Sequence, residues 1–192
     1  MARRYRKKGL DKTARAMVEF LESHGIEGAS VLEVGGGVGE IQVELLRRGA
    51  SHAVNLELSP AYEDEANTLL REANIQDRAE RRLHDIAVDP DGVEPADVVV
   101  LHRVVCCYPD YERLLGTAAA HARRLLVFSY PPRNGLSCLF VGAQNLVFSL
   151  LGREFRTFVH PPQGMVAVVE QRGLSQTLAH HGLVWQVAGL ER

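Results

Sequence analysis

The chain has 192 residues, with 22 lysines and arginines against 24 aspartates and glutamates and a formal net charge of −2, so it lacks the global positive field that draws proteins to nucleic acid. Its length suits one domain, its hydrophobic content of 46% is ample for a core, and no apolar run reaches the roughly 18 residues of a membrane span, so no integral membrane segment is expected. The basic, then polar, start does not read as a secretory signal, and three cysteines without C-x-x-C spacing, two of them adjacent, fit a reducing cytoplasm and no metal site.

Residues 1–10 carry Arg3, Arg4, Arg6, Lys7 and Lys8 and read either as a flexible basic tail or as a flap over a ligand, with Tyr5 as an aromatic surface. Asp11 to His24 reads as a helix: Ala14, Met17, Val18 and Leu21 share a face, Asp11 caps it and Gly25 stops it. Val31 to Val34 then reads as a buried parallel strand. Four glycines follow within five residues, at Gly35, Gly36, Gly37 and Gly39, and Val38, Ile41, Leu45 and Leu46 form the next helical face. Strand, tight glycine turn and helix open a nucleotide-binding unit.

The nucleotide is not a dinucleotide. The third glycine of G-x-G-x-x-G falls on Gln42 counting from Gly37 and on Glu40 counting from Gly35. No Lys-Ser/Thr pair follows the glycines, so a Walker A loop fails too. What stands here is Glu33-x-Gly35-x-Gly37-x-Gly39, and with it the chain resembles the class I S-adenosylmethionine-dependent methyltransferases. The resemblance implies that this loop wraps the methionine and ribose of the cofactor and that Glu33 contacts it directly or through water. Ala53 to Leu58 reads as the second strand. Its Glu57, 22 residues after Gly35, sits where a carboxylate accepts both ribose hydroxyls, with Leu58 beside it. After a third strand, Arg78 to His84, the resemblance makes Asp85 the acceptor for the adenine amino group and Ile86 a packing surface for the ring.

Pro95 to Leu101 reads as the fourth strand, and His102 is the first polar group beyond it, facing the ligand crevice of an open parallel sheet. His102 is a candidate general base or substrate contact, or part of the cofactor wall. Arg103 is read as holding a substrate anion or as pairing with Asp110 or Glu112, and Tyr108 as flanking a flat ligand. Cys106 and Cys107 read as buried thiols; arsenic-methylating relatives that use thiolates are the alternative. A helix over Tyr111 to His121 and a fifth strand over Arg123 to Ser129 follow. The Pro-Pro pair comes after the fifth strand, whereas base-amino and glutamine methyltransferases carry theirs after the fourth, which counts against that group.

Leu136 to Leu151 is an apolar helix with Phe140 on its face, inside an inserted segment of about residues 133–160. It reads as a lid over an apolar acceptor, a dimer surface or added core, with a peripheral membrane contact disfavoured for want of a basic polar face. His160 lies near its end, at the rim of the site. A helix from Pro161-Pro162 to about Arg172 and two strands, Leu174 to His180 and Leu183 to Leu190, joined across His181-Gly182, close the chain.

The expected fold is therefore α/β: a doubly wound, Rossmann-like class I methyltransferase sheet of seven strands, the last antiparallel, in the order 3-2-1-4-5-7-6, with residues 11–192 as one domain. The expected activity is methyl transfer from S-adenosylmethionine, leaving S-adenosylhomocysteine, to the oxygen or nitrogen of a small, partly apolar metabolite. Cofactor contacts fall to Glu33, Gly35, Gly36, Gly37, Gly39, Glu57, Leu58, Asp85, Ile86 and His102, and acceptor contacts to Tyr5, Arg103, Tyr108, Phe140 and His160. A protein or RNA methyltransferase and a cofactor-binding module without turnover are the alternatives. The expected partner is a small molecule, not nucleic acid, for a cytoplasmic monomer or homodimer.

Overall fold

The computed structural model describes residues 2–192. Seven strands form one sheet: β1 (Ser30–Val34), β2 (His52–Glu57), β3 (Ala79–Leu83), β4 (Ala96–Leu101), β5 (Ala122–Tyr130), β6 (Ser175–His181) and β7 (Gln186–Glu191). Their spatial order is β3-β2-β1-β4-β5-β7-β6, with β1 to β5 parallel and β7 antiparallel to both of its neighbours. This is the doubly wound order expected from the sequence.

The central strands are apolar throughout because both faces are covered. In β4, Val98 and Val100 enter one core and Val99 and Leu101 the other; in β5, Leu125 and Val127 face one side, Leu126 and Phe128 the other. The first core is closed by α2 (Lys12–Ser23), α3 (Glu40–Arg47) and α4 (Glu63–Ala73), which contribute Met17, Leu21, Ile41, Leu45 and Leu69. The second is closed by α5 (Tyr111–His121) and α7 (Pro162–Glu170), through Leu114, Leu115, Met165 and Val169. Each fully buried Leu, Ile or Met in these layers contributes roughly 1.5–3 kcal/mol of apolar transfer free energy. The outer strands β3 and β6 are half-buried or exposed and carry Arg81, Arg82, His180 and His181, which blunts the sheet edges.

Three segments differ from expectation. The basic N-terminus is α1 (Ala2–Lys8), a helix whose Ala2 and Tyr5 are buried. Spacing alone ranks it as a solvated tail because its two inward residues are outnumbered by charge. The last hairpin turns over residues 182–185, with Leu183 and Val184 exposed, rather than across two residues. The inserted apolar helix, α6 (Gly135–Leu150), has no buried residue, so it is not core packing. It leaves from the carboxyl end of β5, on the edge of the sheet that holds the glycine loop.

Close packing of β7 on α2 fixes one position sharply. A Cβ at Gly189 would lie 2.7 Å from the ring of Phe20, which is itself buried and held against His24 at 4.4 Å between ring centroids. Gly189→Ala is expected to lose about 1–3 kcal/mol through overpacking, seen as a lower urea midpoint with unchanged slope.

Candidate active site

The strand order reverses around β1, with β2 on one side and β4 on the other, and the crevice opens at the carboxyl ends of these strands. Chain leaving β1 turns through Gly35, Gly37 and Gly39 at φ 63°, 57° and 78°, a left-handed path that side chains with a Cβ resist. Gly36 lies directly on a buried polar cluster: a Cβ there would collide with the Asn55 amide and lie 2.7 Å from the Glu33 carboxyl carbon. Val38 points into the core, so the crest of the loop is bare main chain.

Glu33 belongs to the underside of the loop. It is 1% exposed, and its Oε2 accepts the Gln42 backbone N–H at 3.2 Å and the Asn55 side-chain N–H at 3.4 Å. Burial, with a further contribution from the nearby Glu40 carboxylate, pushes its pKa up to about 8, so the acid is mostly protonated at neutral pH. Both polar atoms of the Gln42 side chain and Asn55 Oδ1 are buried without a hydrogen-bond partner among the described residues.

Glu57, at the end of β2, holds the crevice side. One oxygen accepts the Gly37 N–H at 2.8 Å; the other accepts the N–H groups of Leu58 and Ser59 at 2.8 and 2.9 Å. A carboxylate has about four acceptor directions, so lone-pair capacity remains. Arg81 of β3 supports the same turn: it donates to the Gly37 carbonyl at 2.9 Å and pairs with Glu63 at 3.0 Å. Further along this edge the Tyr108 hydroxyl donates to Asp85 at 3.1 Å, and Asp85 also accepts the Ala87 N–H at 3.0 Å. Ile86, expected as a packing surface for adenine, is 1% exposed in the second core and has no surface to offer; Leu58, Leu83 and Val88 are the exposed apolar side chains of this stretch.

On the β4 side, His102 Nδ1 lies 3.1 Å from Ser129 Oγ, and the same oxygen accepts the Arg103 N–H at 2.9 Å. Ser129 is fully buried. Giving its hydroxyl hydrogen to Nδ1 satisfies every group and leaves the imidazole hydrogen on Nε2. Burial, and then the Arg103 charge, push the His102 pKa down to about 4, so the ring is neutral at pH 7. Arg103 sits at φ 59°, left-handed for a residue with a side chain. Its guanidinium pairs with Asp11 at 2.5 Å, not with Asp110 or Glu112, and lies 5.0 Å from the centroid of Trp185. Asp11 is also the N-cap of α2; burial opposes its charge, but the Ala14 N–H and Arg103 outweigh that and hold its pKa below the ordinary carboxylate value.

The structure separates the expected acceptor contacts. Tyr108 and His160 meet: His160 Nε2 donates to the Tyr108 carbonyl at 3.0 Å and its ring lies 4.7 Å from Tyr111, while the Phe158 N–H reaches the Cys106 carbonyl at 2.7 Å; the Arg103 guanidinium turns instead to Asp11 and Trp185. Tyr5 is instead buried under α1, its hydroxyl donating to Glu44 at 2.5 Å. It lines two cavities: one of about 340 Å³ between α1, α3 and α4, away from the glycine loop, and one of about 70 Å³ lined also by Asp11, Glu40 and Arg103. Phe140 stands 69% exposed on α6. Asn55, Gln42, Ser129, Arg81 and Glu40 were missed in the sequence. The available signal was a polar residue inside an apolar run, as in Val54-Asn55-Leu56, Ile41-Gln42-Val43 and Phe128-Ser129-Tyr130.

Comparison with known proteins agrees with this geometry. A family model described as a methyltransferase domain matches residues 2–185. The chain therefore belongs to the methyltransferase-domain family and is a class I S-adenosylmethionine-dependent methyltransferase. No sequence match is found among curated proteins. Among solved structures, magnesium protoporphyrin IX methyltransferase from Synechocystis PCC 6803 with bound S-adenosylhomocysteine superposes with a TM-score of 0.76 at 18% identity, over 94% of this chain and 82% of that one. Geranyl diphosphate C-methyltransferase from Streptomyces coelicolor A3(2) gives 0.70 at 18% identity, over 93% and 79%. An O-methyltransferase family 2 protein from Planctomyces limnophilus, in complex with apigenin, gives 0.68 at 18% identity, over 96% and 62%. The residues fit S-adenosylmethionine: a side-chain-free loop crest, a carboxylate with unused lone pairs at the end of β2, and the acid Glu40 lining the cavity beside Asp11.

Two outcomes test this geometry. Glu57→Ala is expected to weaken S-adenosylhomocysteine binding by about 1.5–3 kcal/mol, the value of a charged hydrogen bond, measured by calorimetric titration. For Glu33, the unfolded carboxyl titrates near 4.5 while the folded one holds its proton to about pH 8. The folded chain binds more protons across that window, so this group lowers stability as pH rises from about 4.5 to about 8 and adds no slope above it. Glu33→Gln removes that slope, and the variant should gain on wild type between about pH 5 and about pH 8.5 in denaturant titrations.

Proposed function

We propose that the enzyme methylates the oxygen or nitrogen of a small, partly apolar metabolite, with His102, Arg103 and Tyr108 at the reacting end of the pocket. The observation that carries this reading is the packing of the inserted segment onto the turn after β4: Phe158 and His160 bond to the backbone of Cys106 and Tyr108, beside the crevice. That turn and an apolar segment together suit a compact acceptor. Single domain organisation over residues 11–192, with 133–160 as its insertion, goes with this reading, since every strand joins one sheet.

When bound, S-adenosylmethionine supplies a methyl group already activated for displacement by its sulfonium. The chain's own part is to bind, orient and exclude water. Glu57 would hold the ribose hydroxyls on its unused lone pairs, the loop crest the methionine portion, and Asp85 the adenine amino group. His102, neutral and with its hydrogen on Nε2, donates a hydrogen bond that orients the acceptor rather than removing its proton. Orientation of this kind supplies much of the barrier reduction in a bimolecular transfer.

A protein or RNA methyltransferase is the runner-up, and charge speaks against it. Arg81 and Arg103, beside the glycine loop and in the turn after β4, are committed to Glu63 and Asp11, so neither is free to hold the backbone of an anionic polymer.

Incubation with methyl-labelled S-adenosylmethionine and a metabolite extract should label a small molecule; label entering only macromolecules would favour the runner-up. With that acceptor saturating, His102→Ala should lower kcat by about tenfold or more. The wild-type kcat profile should show no inflection near the ordinary histidine value of 6.5, because His102 stays neutral down to about pH 4.

A further inference from the structure

The helix α6 presents a broad apolar face outward. Leu136, Leu139, Phe140, Leu146, Val147 and Leu150, spaced three and four apart, are 51% to 78% exposed. Ser137, Val141, Gln144, Asn145 and Phe148 lie on the opposite, half-buried side. Asn145 binds the return segment there, donating to the Thr157 carbonyl at 2.7 Å and accepting the Thr157 N–H at 2.9 Å. The outward orientation of the apolar face is thus held by specific hydrogen bonds. No charged residue occurs from Asn134 to Gly152, while Arg133 precedes the helix and Arg153 and Arg156 follow it, with Glu154 the one acid among them.

We infer that this face of α6 seats the enzyme on an anionic lipid bilayer, from which a lipid-soluble acceptor enters the site. The inference rests on the small-molecule reading above and narrows its substrate class. Charge decides between a bilayer and a second copy of the chain. A two-fold axis pairs α6 with α6 either antiparallel, setting Arg133 against Arg153 and Arg156, or parallel, setting each end against its own copy. Both pairings bring arginines together, whereas lipid phosphates receive both ends at once. Length decides how the helix lies. No described helix is long and apolar enough to cross a membrane. The 16 residues of α6 extend about 24 Å, against about 30 Å of hydrocarbon, so it rests in the interface with its leucines in the acyl boundary and its arginines at the phosphates. Because α6 follows the carboxyl end of β5, this seat turns the crevice edge of the sheet toward the lipid.

Flotation of the full chain with phosphatidylcholine vesicles, with and without phosphatidylglycerol, tests the seat without requiring methyl transfer. Wild type should float with the anionic vesicles and less at high salt. Leu139→Asp with Leu146→Asp should reduce the bound fraction about tenfold or more while leaving S-adenosylhomocysteine affinity unchanged. Arg133→Glu with Arg153→Glu should remove the preference for anionic lipid. Wild type remaining in the soluble fraction with both vesicles would overturn the inference, as would a leucine double variant that floats like wild type. A dimer seen by sedimentation velocity without lipid, and split by the same leucine changes, would assign the face to a second copy instead. A chain that floats yet labels no small molecule keeps the seat and loses the proposed acceptor class.

Discussion

The crevice depends on how a carboxylate is used at the end of β2. Glu57 draws together the Gly37 N–H from one loop and the Leu58 and Ser59 N–H groups from another. Backbone amides that would otherwise face solvent separately are held by one charge, and each such charge-assisted bond contributes about 1.5–3 kcal/mol. Arg81 grips the same glycine from its carbonyl side. Below, the protonated Glu33 lets the loop lie flat on Asn55 without the cost of a buried charge. One acid gathers three backbone N–H groups at the rim, and the other is kept neutral in the interior by burial and the nearby Glu40 carboxylate.

The opposite wall is organised by Arg103. Its left-handed backbone costs on the order of 1–3 kcal/mol, and the surroundings hold it there: the N–H on Ser129, the guanidinium on Asp11 and the ring of Trp185. Asp11 is thereby both the cap of α2 and the counter-charge of a residue at the site. The N-terminal helices are joined to the crevice through this pair, which makes them part of the wall rather than an appendage to the fold.

Much of the fold was legible because a doubly wound sheet writes itself into the chain as buried apolar runs alternating with amphipathic helices. Glu57 was legible for a related reason: a strand end at a set distance from a glycine turn is a position in space. What the chain alone hid was direction. Ile86 and Tyr5 carry the right chemistry for ligand contact, but packing turns Ile86 into the second core and Tyr5 onto Glu44. The apolar stripe of α6 was equally plain in the sequence, yet whether it faced inward depended on Asn145 reaching Thr157, a contact between segments that spacing does not encode. Asn55, Gln42 and Ser129 went unread because a lone polar residue in an apolar run has many possible partners until the fold brings one.

An element without a single buried residue has a different thermodynamic standing from the rest of the molecule. Helix α6 is joined to the body at Pro131–Asn134 and by the Thr157, Phe158 and His160 contacts, and the two cores are complete without it. Its opening free energy is set by short helical propensity and a few hydrogen bonds, far below that of the central strands. A surface that covers its leucines adds to its order, so this helix draws its stability from outside the protein while the sheet is stabilised from within.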